Sequence, residues 1–562
     1  MRLLVTAAAA AACALSVAAP AALAAPGDLD PTFGGDGIVT AAPGDASRLN
    51  ALALQGGAIV GAGAIRTGEC QELALARWLS GGTLDAGFGD GGLVRTPSTP
   101  CDEPVSAGGE YVSLAVRPDG GMFAGGFHFR GNGDGGLVGA YGPDGDPDTL
   151  FGGDGLDQTG FVHGRAAGVV AGADGGVTAG GWEYGIGRAN WELRRYLSDG
   201  APDASFSDDG VADFPSLGHG QDTLSALVAD GAGGATVAVG TSSPGQGSDL
   251  PSGTVIGRIR DDGTLDPEFG TDGRTLVPYD HVATARDVAR TSDGSFVVAG
   301  YTSPTAGAGR WLLQRFDEHG QLDPAFGAGG QVDGPVGYAD AVAVDAQQRL
   351  VVSGHDLDGA FLVARYLVNG AIDETFGDAG VARPAIGGSH SDVLVQPDGA
   401  IVVGLTGRSG GRDVMLVARL QGGDGAPGQG STEGEIQNNG STGESGGHGP
   451  DAKPGPSPGA SGTGRSRQAG GVSIRLLNSR VTKRGVLVRV TWPAGTDGTA
   501  RARLWTRNKG ILLGERSVTA APPKLGRTFR VPLNARAKAL LRGGKRLKIA
   551  ATVRVTGLPA RR

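Results

Sequence analysis

LDPTFGGDG begins at Leu29 and recurs, with small changes, along most of the chain. Its aspartate stands at seven positions separated by 55, 63, 55, 63, 57 and 50 residues: Asp30, Asp85, Asp148, Asp203, Asp266, Asp323 and Asp373. A period in this range indicates a repeat architecture in which each unit is one supersecondary element. Because the phrase occurs in every unit, whereas a catalytic group need occur only once, we interpret its aspartate as structural.

One unit contains the pattern of four strands. In DVARTSDGSFVVAG, which starts at Asp287, two apolar runs flank Asp293-Gly294, a dipeptide that favours a tight hairpin turn. WLLQRF follows as a third strand, and the next copy of the phrase turns the chain into a short run around Val332. Four-stranded sheets repeated at this period predict an all-β fold, a β-propeller of four-stranded blades, with an open β-solenoid as the alternative.

The third strand of most units carries an arginine eight residues before the aspartate of the phrase. These residues are Arg77, Arg195, Arg258, Arg315 and Arg365. In the second unit Ala140 takes this position. Eight residues across a hairpin bring the two side chains together, and an arginine fork binds a carboxylate through two hydrogen bonds. We therefore predict a structural Asp–Arg pair in each unit, with metal binding or acid–base chemistry as the alternative role.

The two ends of the repeat array are displaced by one unit. Arg419 has no phrase after it, and Asp30 has no arginine strand before it. Circular closure, in which the N-terminal phrase completes the last blade and Asp30 pairs with Arg419, accounts for both ends. The sequence therefore predicts seven blades.

The array resembles the delta-60 repeat family of bacterial β-propellers, whose units combine a DG-turn hairpin, an ARY-like strand and LDxxFGxxG. VQPDGAIVVG from Val395 and ARYLVNGAIDETFGDAG from Ala364 carry the likeness, which covers about residues 27–422. Ser207 replaces the phrase glycine in the fourth copy of the phrase, and Ala140 departs as noted. The resemblance implies a propeller and often an exported protein, and it implies no activity.

Composition divides the chain into regions of opposite charge. Of 562 residues, 105 are glycine, as many tight turns require. Residues 471–562 contain 22 Lys and Arg against 2 Asp and Glu, a net charge of +20, whereas the rest carries 27 against 56, a net charge of −29. We predict a signal peptide at 1–24, a propeller at 25–421, a Gly/Ser/Pro-rich disordered linker at 422–470 and a basic Ig-like β-sandwich at 471–562.

The first 24 residues predict export. An Ala-rich apolar run ends in Ala22-Leu23-Ala24, the small-x-small pattern of a cleavage site. A retained membrane anchor is the alternative, and no later stretch is long and apolar enough to span a bilayer. We therefore expect a secreted or cell-surface protein without a transmembrane segment in its mature form.

Two cysteines remain beyond the predicted signal peptide. Cys70 lies in the first unit after its second strand, and Cys101 follows the fourth strand of that unit. Both positions fall on the same predicted face of the propeller, and the exported compartment is oxidising. We predict a Cys70–Cys101 disulfide.

The loops that vary between units emerge on one face, opposite the uniform DG turns, and are the predicted location of ligand binding. Their distinctive side chains suggest an aromatic and polar surface for a sugar, a peptide or another extracellular ligand. The candidate residues are His128, Arg130, Trp182, Tyr184, Arg188, Tyr301, Arg310, His355, Asp356 and Asp358. Trp191 and Trp311 begin third strands and have packing between blades as their simpler role.

No catalytic signature is present in the sequence: it lacks HExxH, paired CxxC, a P-loop and GxSxG in an α/β setting. We therefore expect no enzyme activity, no resident cofactor and no metal site. Calcium has only weak support, because Asp356 and Asp358 form an acidic pair without further ordered oxygen ligands.

These observations predict a binding scaffold with three classes of partner: a cell-envelope polyanion, a glycan or an extracellular protein, but no specific nucleic acid. The basic tail either attracts the envelope polyanion or docks on the acidic propeller of its own chain. The alternatives are an extracellular propeller lyase or hydrolase acting on polysaccharide, and a structural envelope protein with no discrete ligand. The sequence does not determine the oligomeric state.

Overall fold

The computed structural model describes residues 24–97, 108–130, 133–158, 164–185, 188–217, 221–231, 234–243, 252–279, 282–303 and 309–423, together with six strands nearer the C-terminus. The chain divides into two compact units, Met1–Glu444 and Ser445–Arg562. The described residues form strands and turns but no helix, so none of them belongs to a helix that could cross a bilayer. Residues 1–23 of the predicted signal peptide and 424–470 of the predicted linker lie outside this range.

The described residues of the first unit form 28 strands. The first fourteen are β1 (Ile38–Ala41), β2 (Ala46–Gln55), β3 (Ala58–Thr67), β4 (Cys70–Trp78), β5 (Leu93–Thr96), β6 (Gly108–Val116), β7 (Met122–Arg130), β8 (Gly133–Tyr141), β9 (Leu156–Asp157), β10 (Gly164–Ala171), β11 (Val177–Gly185), β12 (Arg188–Tyr196), β13 (Val211–Phe214) and β14 (Gln221–Ala229). They are followed by β15 (Thr236–Ser243), β16 (Ser252–Ile259), β17 (Arg274–Tyr279), β18 (Val282–Arg290), β19 (Phe296–Ser303), β20 (Arg310–Phe316), β21 (Gln331–Val336), β22 (Tyr338–Val344), β23 (Leu350–His355), β24 (Phe361–Tyr366), β25 (Val381–Ala382), β26 (Gly388–Val395), β27 (Ile401–Ser409) and β28 (Arg412–Leu420).

These strands pair in antiparallel groups of four consecutive strands, from β2–β5 to β22–β25. Single parallel pairings, Gln71 with Gly108 and Ala189 with Gln221, join two neighbouring groups in each case. The remaining group consists of β26, β27, β28 and β1, so that the first described strand completes the last sheet of the first unit. We call this group the closing sheet.

The first strand of each group contacts the first strand of the next, in the order β2, β6, β10, β14, β18, β22, β26 and back to β2. The hydrophobic core lies between neighbouring sheets. Trp311 of β20, for example, is fully buried in one cluster with Val352 of the next sheet. Each sheet thus buries both of its faces, which explains why its central strands are almost continuously apolar.

The repeated phrase forms the turn between the third and fourth strands. Its aspartate Oδ1 accepts the backbone N–H two residues later, at 3.0 Å in Asp30–Thr32 and 3.1 Å in Asp373–Thr375, which holds the turn. The phenylalanine of every copy is at most 2% exposed: Phe33, Phe88, Phe151, Phe206, Phe269, Phe326 and Phe376. Burial of one such ring contributes about 2 to 3 kcal/mol.

The other carboxylate oxygen of the phrase, Oδ2, lies beside the third-strand arginine. The nitrogen–oxygen separations are 2.8 Å for Arg77–Asp85, 3.5 Å for Arg195–Asp203, 3.6 Å for Arg258–Asp266, 3.4 Å for Arg315–Asp323, 2.7 Å for Arg365–Asp373 and 2.7 Å for Arg419–Asp30. Several of these guanidinium groups also lie over the phrase phenylalanine, as Arg77 does over Phe88 at 4.5 Å.

The same arginines extend to the neighbouring sheet. Their Nη1 atoms donate to a carbonyl oxygen in the turn after its third strand, in Arg77–Pro143 at 2.6 Å, Arg195–Asp261 at 2.9 Å, Arg315–Val368 at 2.9 Å and Arg419–Ser80 at 2.6 Å. The backbone N–H after the phrase phenylalanine makes a parallel bond, in Gly327–Asn369 at 2.9 Å and Ser207–Asp262 at 2.8 Å. The phrase therefore joins sheets as well as turning the chain.

The two ends of the repeat array meet in the closing sheet. β1 pairs with β28 from Ile38 opposite Ala418 to Ala41 opposite Met415. Arg419 also donates from Nη2 to the Thr32 hydroxyl at 2.7 Å. One sheet therefore contains both ends of the array, and the arginine and the aspartate that have no partner in their own units pair with each other.

Two repeats depart from the pattern without losing the contacts. Where Ala140 replaces the arginine, Arg117 from the end of β6 supplies the guanidinium, with Nη1 at 2.9 Å from Asp148 Oδ2. Ser207 replaces the phrase glycine with a φ of 51°, a left-handed conformation that costs a residue with a side chain about 1 kcal/mol. The geometry of the turn is therefore the same in these two repeats, although their residues differ from the pattern.

The second unit contains six described strands: β29 (Ser473–Leu476), β30 (Val486–Thr491), β31 (Thr499–Thr506), β32 (Leu512–Thr519), β33 (Gly526–Val531) and β34 (Ile549–Thr556). They form two three-stranded sheets with the orders β29-β30-β33 and β32-β31-β34, in which all pairs are antiparallel.

We expect Arg419→Ala to lower the free energy of unfolding by about 3 kcal/mol, because it leaves the buried Asp30 carboxylate without its cation. Amide hydrogen exchange should accelerate first in β1 and β28. Arg408→Ala is the control, since its ion pair with Asp413 joins side chains that are 82% and 33% exposed. Equal stability loss in both variants would contradict the role given to Arg419.

Candidate functional site

A group of aromatic and charged side chains lies where the sheets β18–β21 and β22–β25 adjoin. Tyr301 is near the end of β19, Tyr338 begins β22 and His355 ends β23. All three positions lie at the edge of the sheets from which the variable loops emerge. The site therefore belongs to the face that the sequence predicts for binding.

The three rings form what we call the aromatic row. The centroids of Tyr301 and Tyr338 are 4.7 Å apart with an interplanar angle of 86°, and those of Tyr338 and His355 are 5.4 Å apart at 34°. Each residue is half-buried. The edge-to-face contact of the two tyrosines and the tilted contact of Tyr338 with His355 hold the rings in place while part of each surface stays in water.

His355 is fixed on two sides. Its Nδ1 lies 3.2 Å from Asp340 Oδ2, and its carbonyl oxygen accepts the indole N–H of Trp311 at 3.3 Å. The hydrogen bond to Asp340 raises the pKa of His355, while burial and the charge of Arg286 act against that rise. Asp340 is a carboxylate acceptor, so Nδ1 carries the proton in this contact.

Arg286 lies next to the aromatic row, with its guanidinium carbon 5.5 Å from the centre of the Tyr301 ring. The residue is exposed. Its guanidinium makes no hydrogen bond or ion pair with the part of the chain that the structure describes. This differs from the arginines of the repeated phrase, which are engaged with carboxylates and carbonyl oxygens.

β-Bulges place the two charged residues. The pairing of β18 with β19 shifts between Ala285 and Asp287, and that of β22 with β23 shifts between Ala339 and Ala341. Arg286 and Asp340 are the extra residues at these equivalent positions. A bulge re-aims a side chain relative to its sheet, so both residues depart from the regular alternation of the strand.

Gly337 allows the chain to enter β22 close to the neighbouring strand. Its φ is 133°, and a Cβ atom there would lie 2.1 Å from the carbonyl oxygen of His355. Only glycine fits this approach. The contact brings Tyr338 alongside His355.

The structure places the remaining sequence candidates in other roles. Asp356 Oδ1 accepts the N–H groups of Asp358 at 3.0 Å and Ala360 at 2.9 Å, which shapes the turn between β23 and β24. Asp358 is exposed at the tip of that turn. Arg310 is exposed and donates to the Gly334 carbonyl at 3.1 Å. Among the candidate side chains that the structure describes, Tyr301 and His355 lie in the aromatic row, and the charge of Asp356 acts on His355 from the adjoining turn.

Other candidates lie on earlier sheets. His128 is 5% exposed within β7. Trp182 is half-buried opposite Trp191, and Trp191 is buried. Arg130, Tyr184 and Arg188 are in the strands β7, β11 and β12, but their side chains lie outside the described residues.

Cys70 is the first residue of β4 and is disulfide-bonded. Cys101 lies outside the described residues, so its pairing with Cys70 stays a prediction. Within the described ranges there is no group of three or more His, Cys, Asp or Glu side chains that could hold a metal ion.

Sequence reasoning missed Arg286, Tyr338 and Asp340. It also missed two acids on first strands, Asp287 and Asp392. A comparison of the bulge positions across the units would have found Arg286 and Asp340, because the corresponding residues in the first and fourth units are the uncharged Asn50 and Ser225. The spacing of the bulge becomes visible only once the strands are paired.

Asp287 and Asp392 occupy equivalent places on β18 and β26. Each carboxylate accepts the next N–H of its own strand and an N–H of the following sheet, from Val342 at 2.9 Å and from Leu52 at 2.6 Å. Burial raises the pKa of Asp287 to about 6. Burial and the charge of Asp287 raise the pKa of Asp392 to about 7. Two carboxyl groups thus compete for ionisation in the interior.

A family model described as a domain of unknown function (DUF5122) beta-propeller matches residues 172–206 and 291–326. The N-terminal unit is a β-propeller. The two segments each run from the first hairpin turn through the second and third strands to the phenylalanine of the phrase, which is most of the repeat inferred from the sequence. Comparison with curated proteins gives no match.

Several solved structures resemble the chain at low identity. The polysaccharide lyase Uly1 is 12% identical with a TM-score of 0.39, over 67% of this chain and 90% of the lyase. A mutant NanB sialidase from Streptococcus pneumoniae is 11% identical with a TM-score of 0.36, over 67% of this chain and 68% of the sialidase. Drosophila Plexin A is 9% identical with a TM-score of 0.36, over 70% of this chain and 88% of the plexin. Likeness at this level carries no argument about ligand or reaction.

We expect the stability of the propeller to fall as the pH rises from about 4 to about 7 because of Asp287 and Asp392. Both carboxyls titrate near 3.8 in the unfolded chain and higher in the fold, so the folded state binds more protons over this interval. Asp392→Asn removes one charge and the repulsion on Asp287. The loss of unfolding free energy between about pH 4 and about pH 7 should therefore be smaller in this variant, by roughly 1 to 3 kcal/mol.

Asp398→Asn is the matched control, because Asp398 is exposed in the hairpin turn of the same sheet and asparagine preserves its turn contact. Chemical denaturation between pH 4.5 and 8 measures the slope of unfolding free energy against pH in both variants. An unchanged slope in Asp392→Asn would refute the raised pKa of Asp392 in the folded protein.

Proposed function

We propose that this protein is a secreted or cell-surface binding scaffold in which a seven-bladed propeller of delta-60-like repeats presents a glycan-binding site at the aromatic row. The observation that supports this most directly is the arrangement of Tyr301, Tyr338 and His355 as adjoining, half-buried rings beside the exposed Arg286. These residues come from neighbouring sheets, as expected of a site built on a rigid scaffold.

The chemistry of the row suits a saccharide. Sugar rings have apolar C–H faces that pack on tyrosine, and their hydroxyl groups hydrogen-bond to side chains at the ring edges. Exposed apolar residues lie at the same edge of these two sheets: Val282 begins β18, Val336 ends β21 and Leu357 follows β23. A ligand that covers these groups gains both apolar burial and polar contacts.

An extracellular lyase or hydrolase is the second candidate. The His355–Asp340 hydrogen bond supports it, since an imidazole oriented by a carboxylate is a common general base. The enzyme hypothesis requires His355 to act together with Asp356 and Asp358, but Asp356 binds two N–H groups of its own turn. We therefore favour binding over catalysis. A structural envelope protein without a discrete ligand is the third candidate, and saturable binding would exclude it.

The tail gives the scaffold a second role. We propose that residues 471–562 form a basic Ig-like sandwich, joined by a flexible linker at 422–470, which associates with an anionic cell-envelope polymer. The net charge of +20 over these residues supports the proposal. Docking of the tail on the acidic propeller of its own chain is the competing interpretation.

We expect Tyr338→Ala to weaken binding of oligosaccharides by about tenfold or more, because it removes the central ring of the row. The full chain is titrated calorimetrically against a panel of neutral and acidic oligosaccharides of about six sugars. Leu150→Ala is the control, since Leu150 is 74% exposed in a phrase turn at the opposite edge. If the full chain binds none of the panel, or if Tyr338→Ala binds as the wild type does, the proposed site is wrong.

We expect the full chain to bind heparin, used as a model polyanion, at about 50 mM salt and to dissociate by about 500 mM. Replacement of Arg542, Lys545, Arg546 and Lys548 by glutamine should move elution to lower salt and leave oligosaccharide binding unchanged. Failure of the wild type to bind any anionic fraction at low salt would refute the envelope role of the tail.

A further inference from the structure

Arg286 has an exposed guanidinium that makes no hydrogen bond or ion pair with the described residues and lies beside the aromatic row. It stands on a bulge of β18, and the Tyr301 ring lies under it at 5.5 Å. Stacking on a ring holds the planar group in position while its N–H edges remain available. A guanidinium presented in this way is preorganised for a planar oxyanion.

His355 supplies a second polar group on the same side. Asp340 holds Nδ1, so the other ring nitrogen, Nε2, is the one left for a ligand. In neutral imidazole this Nε2 is an acceptor, and protonation of the ring makes it a charged donor. The environment raises the pKa of His355, with Asp340 as the main cause, so the charged form is favoured on mild acidification.

The charged groups around His355 have opposing effects on an anion. Asp340 and Asp356 favour the protonated imidazole, whereas Arg286 disfavours it. An oxyanion bound between Arg286 and His355 would offset the repulsion between these two cations. Binding of the anion and protonation of His355 are therefore linked.

We infer that the ligand of this site is an acidic saccharide whose carboxylate is bound by Arg286 and by protonated His355, while its sugar ring packs on Tyr338. This inference rests on the proposed function and assigns its ligand class. A uronic acid residue has the required combination, a planar carboxylate attached directly to a sugar ring. A sulfate ester offers a related anion of tetrahedral shape, which fits the planar fork less well.

Calorimetric titration of the full chain with three oligomers of about six sugars tests the inference: glucuronic acid, glucose and sulfated glucose. We expect the glucuronate to bind about tenfold more tightly than glucose at pH 7 and more tightly still at pH 5.5. Arg286→Gln should remove the preference for the acid. His355→Gln should remove the pH dependence, and Asp340→Asn should move its midpoint to lower pH.

Arg412→Gln is the matched control, because Arg412 is an exposed arginine at the same edge of the closing sheet. It should retain the affinity and the pH profile of the wild type. Equal binding of glucose and glucuronate by the wild type would overturn the acidic ligand while leaving the saccharide site in place. Binding of neither would overturn the proposed function itself, and a preference for sulfate would overturn the planar carboxylate.

Discussion

The arginine on the third strand makes the contact on which the propeller depends. In the closing sheet, Arg419 binds the Asp30 carboxylate through Nε and the Ser80 carbonyl of the neighbouring sheet through Nη1. A single planar cation thus connects a turn of its own sheet to the turn of another. An unpaired charge in this position costs several kcal/mol, which opposes loss of either contact. Each of these arginines therefore constrains the turns of two sheets at once.

This constraint explains how the repeats tolerate variation. Arg117 contributes the cation from a different strand where Ala140 stands in its usual place, and Ser207 adopts a left-handed conformation that preserves the contact to Asp262. What stays the same in every repeat is the contact between the phrase turn and the neighbouring sheet, because the neighbouring turn holds its carbonyl oxygen at a fixed position. These contacts hold the sheets together at the edge that carries the phrase. The residues and loops at the opposite edge can therefore differ between units.

The bulges on the first strands are the second source of difference. They bring Arg286 and Asp340 to equivalent positions on adjoining sheets. Arg286 lies beside Tyr301 and Asp340 beside His355, at the two ends of the aromatic row. Close by, Asp287 carries a carboxyl group that stabilises the fold through backbone N–H groups and destabilises it through its charge. The same carboxyl group therefore both stabilises and destabilises the fold, and the stability of the propeller depends on pH as a result.

The sequence by itself determined the repeat, the four-strand unit, the eight-residue spacing of Arg and Asp, and the displaced ends that Arg419 and Asp30 connect. The first three are local patterns, because hairpin geometry relates residues a few positions apart. The connection of the displaced ends follows from counting the copies of the phrase and of the arginine strand along the chain. Only the tertiary structure decided that Arg117 serves Asp148 and that Tyr301, Tyr338 and His355 adjoin. Such contacts join residues on different strands, and a bulge shifts the alternation of side chains without leaving a periodic signal.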